Sequence, residues 1–305
     1  MRALVARRLE GPDTLELIET PIPEPAAGQV RIKVSAAAVN PVDLAVSAGL
    51  AVQFGLTAPR EQFGLGWDVA GTVDAVGSGV DLTPGKAVIG LADLLGRSLK
   101  THAEYVVLDA DAVAPTTLDP VAASTIPLNA ITALQARRAI SGKTVLVTGA
   151  AGGVGGYAVE LAKHQGLTVI ATAGDQDEDL VRGLGANHFV RRSADLATAV
   201  REIVPAGVDA LVDAAIVGVG AQEAVRNGGQ HVHLQGGPRP PHLRNITVEQ
   251  LFLHANRRDL TELVELVEAG AISTRVAETY PLQDAATAYR RLAKGGVRGR
   301  LVLIP

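Results

Sequence analysis

The sequence predicts an α/β protein in two parts, a β-rich domain and a doubly wound parallel sheet. Three observations carry this. Short apolar runs between prolines and glycines fill the chain up to about residue 115. From about residue 143, short apolar strands alternate with helical patterns of roughly 10–15 residues, the signature of parallel βαβ units buried on both faces. The last fifty residues hold two further helices and two strands. A length of 305 residues agrees with about two domains at roughly 150 residues each.

In the first part the strands are Leu4–Ala6, Val30–Val34, Val69–Val73, Ala87–Ile89 and Tyr105–Leu108. Val30, Ile32 and Val34 alternate with Arg31 and Lys33, the period of a half-buried strand. Pro21, Pro23, Pro25 and Gly28 mark an irregular crossing. The second part opens with the wholly apolar strand Val145–Thr148 and a helix from about Val154, in which Val154, Ala158, Leu161 and Ala162 keep helical spacing. Strands at Thr168–Ala171, His188–Val190, Ala210–Val212 and His231–Leu234 follow, with helices near 178–184 and 194–204 between them. An amphipathic helix over 256–269, a strand, a helix over 284–293 and the strand Leu301–Ile304 close the chain, which is expected to return to the first domain.

Composition narrows the function. Hydrophobic residues make up 47% and charged residues 20%, as in ordinary globular proteins. The net charge is −4 with no basic run, so no nucleic-acid partner is expected. Cysteine is absent, which excludes disulfides, thiolate nucleophiles, iron–sulfur clusters and cysteine-ligated zinc. No stretch reaches 18 uninterrupted apolar residues and the first eight residues lack a signal-peptide core, so a cytoplasmic protein without a membrane span is expected.

The chemically informative motif is Gly149-Ala150-Ala151-Gly152-Gly153-Val154-Gly155, set directly between a strand and a helix. Such a turn lets a pyrophosphate approach the backbone where a Cβ would collide, and the helix N-terminus offers N–H groups and about half a positive charge. The placement, more than the glycines, points to dinucleotide binding. Gly149, Gly152, Gly153 and Val154 are the expected cradle, followed by Thr172 at the end of the second strand.

Several ordered motifs resemble the medium-chain dehydrogenase/reductase superfamily, within it the zinc-independent quinone oxidoreductase group. They are Asn40-Pro41-Val42-Asp43, Gly66-Trp67-Asp68-Val69-Ala70-Gly71-Thr72-Val73, Ala103-Glu104-Tyr105-Val106-Val107, the glycine-rich turn, Leu184-Gly185-Ala186-Asn187-His188 and Arg298-Gly299-Arg300-Leu301-Val302-Leu303. The resemblance implies a GroES-like catalytic domain of residues 1–120 and 256–305, a Rossmann domain of residues 121–255, and a homodimer. It also implies a nicotinamide cofactor and a small carbonyl or quinone acceptor. Val42 and Trp67 stand where zinc-dependent relatives carry catalytic ligands, so no metal and no zinc is expected, and alcohol oxidation loses its Lewis acid. Reduction of a conjugated acceptor is the reaction that remains, with an enoyl-thioester reductase and a non-enzymatic NADP(H)-binding protein as alternatives. Arg239, Arg244, Arg257 and Arg258 are candidates for the basic surface a thioester's phosphates would need.

Single positions carry two readings each. By resemblance Asn40 lies near the nicotinamide ribose and Thr132 faces the nicotinamide. Yet Asn40-Pro41-Val42-Asp43 is also a good helix start, with Asp43 as its cap, and Thr132 also suits a helix hydroxyl bonded to its own backbone. Leu234 and Gly236 follow the fifth strand and pass near the nicotinamide amide by resemblance. Arg300 matches a position reaching the cofactor, or is a strand-edge charge. Thr172-Ala173-Gly174 ends its strand without an acid, and Arg192 falls where relatives cover the adenosine phosphate, so NADPH is preferred over NADH. Asp175, Asp177, Glu178 and Asp179 read as a helix start, with Asp175 the ribose ligand should NADH bind instead. The tyrosines that line the acceptor pocket in relatives are absent from Leu44 to Gln53, which leaves the acceptor open. His231 and His233 share one face of a strand, but two isolated histidines with no third ligand are a weak signal, and no metal site is expected there.

Overall fold

The computed structural model describes all 305 residues. The chain divides into two compact units: Met1–Leu128 with His254–Glu268 and Thr274–Pro305, and Asn129–Leu253 with Ala269–Ser273. The first unit therefore reaches beyond the expected residue 120, because the short helix that begins there packs on two of its strands.

The first unit begins with β1 (Arg2–Ala6) and β2 (Leu15–Glu19), then β3 (Gln29–Val39), α1 (Pro41–Ser47) and α2 (Leu50–Gln53). It continues through β4 (Phe63–Gly64), β5 (Asp68–Val76), β6 (Ala87–Leu91), β7 (Tyr105–Asp109), β8 (Val113–Pro115) and α3 (Pro120–Ala123). After α4 (Pro127–Arg138) the second unit contributes β9 (Thr144–Thr148), α5 (Gly153–His164), β10 (Thr168–Ala173), α6 (Glu178–Gly183) and β11 (His188–Arg191). Its remaining elements are α7 (Leu196–Ile203), β12 (Val208–Asp213), α8 (Val219–Gln222), β13 (Val225–His233) and β14 (Thr247–Gln250). The chain then returns to the first unit with α9 (Arg257–Glu268), β15 (Val276–Pro281), α10 (Ala285–Ala293) and β16 (Arg300–Ile304).

Two sheets build the first unit. A small one has the order β2-β1-β4, and the larger runs β15-β16-β3-β5-β6-β8 with β7 paired to β3. β3 is its organising strand. Val30, Ile32 and Val34 face one core while Arg31 and Lys33 point outward, as the alternation predicts. From Ala36 the alternation stops and Ala36, Ala37, Ala38 and Val39 are all fully buried. Small side chains are required there because both faces are covered: Ala36 and Ala38 pack with Val302, Ala37 with the Val30–Ile32 core, and Val39 with Leu4, Leu301 and Tyr289.

The second unit is a six-stranded, all-parallel sheet of order β11-β10-β9-β12-β13-β14. Numbered from its own first strand, this is 3-2-1-4-5-6, the doubly wound dinucleotide-binding order. The sequence direction reverses between β9 and β12, which puts the switch point beside the Gly149 turn. Its strands are apolar on both faces, with Val145, Leu146, Val147, Val169, Ile170, Ala171 and Leu211 fully buried. β14 is the one strand here that the apolar patterning does not announce, since Thr247-Val248-Glu249-Gln250 is mostly polar. No helix in the chain is long and apolar enough to cross a membrane.

Gly71 shows how tightly β3 and β5 approach. A Cβ there would sit 2.1 Å from the Lys33 carbonyl oxygen, a backbone atom fixed in the sheet. Gly71→Ala is expected to destabilise the protein by at least about 2 kcal/mol through overpacking, read as a lowered thermal midpoint. An unchanged midpoint would contradict this register.

Candidate functional site

The second unit carries the dinucleotide cradle. β9 ends at Thr148, Gly149 adopts φ +63°, and α5 starts at Gly153 with Gly152 in the N-cap position. No side-chain oxygen caps the helix. A Cβ on Gly155 would lie 2.2 Å from the Gly149 carbonyl oxygen and one on Gly152 3.1 Å from the same atom. The turn thus closes on itself only with glycine at Gly155, and the helix N-terminus stays uncluttered for an anion. Gly149, Gly152, Gly153 and Val154 all lie in this turn and the first helical residues. These features fit a bound dinucleotide.

The other candidates of this unit fall at the carboxyl ends of its strands or beside α4. Thr172 is buried at the end of β10, and its hydroxyl has no hydrogen-bond partner. Arg192 is exposed, and its backbone N–H donates to the Ala173 carbonyl at 2.8 Å, which holds it beside that strand end. Its neighbour Arg191 faces Asp175 at 3.8 Å. Leu234 follows β13, and Gly236 (φ +128°) and Gly237 press against Ile216, whose side-chain carbons would lie 2.8 and 2.6 Å from a Cβ on each. Thr132 is buried in α4. Arg239 and Arg244 are occupied locally: Arg239 donates to the Val248 carbonyl at 2.7 Å, and Arg244 to the Val225 and Gln222 carbonyls at 2.8 Å each.

The first unit holds a buried polar network where three adjacent strands end. Asn40 follows the central strand β3, Asp68 opens β5 on one side and Arg300 opens β16 on the other. Asn40 Nδ2 donates to Asp68 Oδ2 at 2.7 Å and to the Ala38 carbonyl at 3.2 Å, while Asn40 Oδ1 accepts from Arg300 Nη2. Arg300 also donates to the Val39 carbonyl at 2.7 Å, and Asp68 Oδ1 accepts the Leu128 N–H at 2.5 Å. Arg300 is therefore no strand-edge charge: β16 lies between β15 and β3, and the guanidinium is buried. Asn40 stands at the N-cap of α1 and forms a capping box with Asp43, besides its part in this network. Asp43 accepts the Asn40 N–H at 2.9 Å with Oδ2 and the Gly66 N–H at 2.8 Å with Oδ1.

Three further buried groups surround it. Lys100 Nζ lies 3.6 Å from the centroid of the Trp67 ring, a cation–π contact. His102 Nε2 lies 3.1 Å from the Ala38 carbonyl, which can only accept, so Nε2 carries the proton and Nδ1 accepts from the Tyr289 hydroxyl at 2.9 Å. A Cβ on Gly66 would meet Thr101 Oγ1 at 2.3 Å and His102 Cδ2 at 2.5 Å, so Gly66 (φ +94°) lets the His102 loop close in. Sequence reasoning did not single out Asp68, Lys100, His102 or Tyr289 as site residues. Asp68 lay within a motif already in view, whereas nothing in the sequence ties His102 to Tyr289, 187 positions away.

Burial shifts these groups. It pushes Asp68 up to about 6, against the pull of Arg300, Asn40 and the Leu128 N–H. It pushes Lys100 down to about 7, against Asp43 and Asp93, and lowers His102, which stays neutral. Between about pH 7 and its ordinary value of 10.5, Lys100 binds fewer protons folded than unfolded, so its contribution to stability rises with pH. Asp68 works oppositely below pH 6, holding its proton longer in the folded state, so that contribution falls as pH rises from 3.8. The stability of the wild type relative to Lys100→Met is expected to climb across pH 7–10 by up to about 1.4 kcal/mol per unit. A flat difference in thermal midpoint over that range would refute the depressed lysine.

Val42 and Trp67 offer no metal-ligating atom, and with no cysteine in the chain a catalytic zinc has no ligand set at these positions. Residues 26–118 match the alcohol dehydrogenase GroES-like domain family and residues 184–303 the zinc-binding dehydrogenase family. The chain is 32% identical over 322 residues to the NADPH-dependent alkenal/one oxidoreductase of Arabidopsis thaliana chloroplasts, covering 100% of this chain and 80% of that one. Among solved structures it is similar to the quinone oxidoreductase of Coxiella burnetii, with a TM-score of 0.85, 29% identity and coverage of 100% and 99%. It is also similar to an NAD-dependent alcohol dehydrogenase, with a TM-score of 0.87, 32% identity and full coverage of both chains. With a GroES-like unit, a parallel sheet of dinucleotide-binding order and these relatives, the chain belongs to the medium-chain dehydrogenase/reductase superfamily, quinone oxidoreductase group, and is an oxidoreductase of the nicotinamide-dinucleotide-binding kind.

Proposed function

We propose that the protein is an NADPH-dependent reductase of quinones or α,β-unsaturated carbonyl compounds that works without a catalytic zinc, as a cytoplasmic homodimer. One observation carries the choice of reduction: Val42 and Trp67 stand where, by resemblance, zinc-dependent relatives carry their catalytic ligands, and neither can hold a Lewis acid. Without one, the alkoxide of an alcohol substrate has no stabilising partner. A conjugated acceptor needs none of comparable strength, because the charge left by hydride addition is delocalised. The names of the alkenal/one and quinone relatives support the same direction.

Gly149, Gly152, Gly153 and Val154 would cradle the pyrophosphate against the α5 N-terminus. The free Thr172 hydroxyl and the tethered Arg192 support NADPH over NADH, since a guanidinium at that strand end can grip a 2′-phosphate bidentately. Asp175, the acid an NADH reading would need for the ribose, faces Arg191. When bound, the nicotinamide supplies the hydride. In the first unit Asn40, locked by Asp68 and Arg300, would position the nicotinamide ribose, with Asp43 fixing the Asn40 backbone; in the second, Thr132, Leu234 and Gly236 are the residues proposed for the nicotinamide. The acceptor takes its proton from solvent or a nearby donor.

Binding of NADPH and NADH at equal salt tests the reading. NADPH is expected to bind at least tenfold more tightly, about 1.4 kcal/mol, and Arg192→Ala to abolish that preference while leaving NADH binding unchanged. Equal or tighter NADH binding by the wild type would sink the NADPH assignment. Turnover of NADPH with quinones and enones, but not with saturated ketones, is the expected substrate profile.

A further inference from the structure

Three buried side chains of the second unit take no part in the chemistry above. Asp213 ends β12, and His231 and His233 stand two apart on β13, so both imidazoles leave the same face of the sheet. The parallel register pairs Asp213 with His233 and Leu211 with His231. All three side chains are fully buried. Asp213 Oδ1 accepts from Thr148 Oγ1 at 2.6 Å and the Val217 N–H at 3.0 Å, and Oδ2 accepts the Gly218 N–H at 2.7 Å.

The histidines are not satisfied in this way. His231 Nε2 and His233 Nδ1 lie 3.6 and 3.7 Å from Asp213 Oδ2, beyond hydrogen-bond range, and none of the four ring nitrogens has a hydrogen-bond partner. The rings stand edge to face, 5.9 Å apart, so they do not bond each other. A buried polar group left unpaired is costly, and two adjacent imidazoles repeat that cost. An ion would remove it. At bonds of about 2.1 Å, separations of 3.6 and 3.7 Å subtend angles near 120° at a shared cation. One ligand atom from each residue lies within 4.8 Å of the others. The Thr148 hydroxyl and the Val217 and Gly218 amides hold the carboxylate as outer-shell partners of a metal site do.

The loop over the cluster is strained in a way that serves it. Ile216, β-branched, sits at φ +56°, which is costly for such a residue. Its side chain packs on Gly236 and Gly237, while the next two amides reach Asp213.

We propose that Asp213, His231 and His233 form a buried site for a divalent first-row transition ion of the zinc class. Two imidazoles and a carboxylate select such an ion over calcium or magnesium. The site is structural: it clamps the carboxyl ends of β12 and β13 one residue from the Gly149 turn, through Thr148, and is separate from the Val42 and Trp67 positions.

The test uses the full chain, stripped with a chelator and titrated with Zn²⁺ or Co²⁺. Expected are uptake of one ion per chain, a raised thermal midpoint with Zn²⁺ and visible Co²⁺ absorption of a low-coordinate site. Asp213→Asn and His233→Gln are expected to weaken uptake by at least about tenfold, and His188→Gln, an exposed histidine, to leave it unchanged. Should the buried variants fail to fold, X-ray absorption of the zinc-loaded wild type decides: two imidazole nitrogens and a carboxylate oxygen are expected. No stoichiometric uptake, uptake indifferent to Asp213 and His233 in folded variants, or a different donor set would overturn the proposal.

Discussion

The constraint on which the first unit depends is that Asp68 and Arg300 are both buried and are bridged by hydrogen bonds through Asn40. Their strands are neighbours of β3 on opposite sides, so one amide between them can accept from the cation and donate to the anion. Buried ion pairs gain little net stability over apolar packing of the same shape, but removing one partner is costly. The arrangement therefore contributes less to the depth of the fold than to its definition. It sets where β3, β5 and β16 end relative to one another, and it fixes the rotamer of an amide that is the first unit's best candidate for touching a cofactor. The alanines of β3 serve the same end, since larger side chains at Ala36–Ala38 would separate the layers that bring the strand ends together.

The second unit solves a different problem, that of offering backbone rather than side chains. Its glycine turn reads as a steric exclusion list: Gly155 closes the turn on Gly149, and Gly236 and Gly237 give Ile216 room. What is left at the surface of the turn is an uncapped helix start. Anion affinity there comes from aligned peptide dipoles and spare N–H groups, not from charged residues. This explains why a chain of net charge −4 can still suit a highly charged cofactor.

Much of this architecture was legible in the sequence. The parallel strands were visible because burial on both faces makes them wholly apolar, and the turn was visible because its position between strand and helix is as diagnostic as its glycines. β14 was not, since its polar edge residues carry no apolar run. The buried network was legible only in part. Asn40 and Arg300 were in view, with Arg300 open to a strand-edge reading that its central strand rules out. Lys100, His102 and Tyr289 could not be seen, because a polar residue far along the chain announces neither its burial nor its partner. The same limit applied to His231 and His233: their third companion lies 18 residues earlier than the first of them, on a different strand.

The two units treat their buried imidazoles differently, and the contrast is informative. In the first unit His102 has a carbonyl on one nitrogen and a tyrosine hydroxyl on the other, so a buried imidazole is fully accounted for by its own chain. Asp43 and Asp68 are likewise matched by N–H donors. In the second unit Asp213 is matched, yet the two imidazoles against it are not. Folding alone gives no reason to bury two such rings where valine would pack without that penalty. The paired imidazole of His102 in one unit shows what this sequence does when the chain itself supplies the partner. Unsatisfied burial in the other, beneath a strained loop and beside a held carboxylate, is what remains when the partner comes from solution.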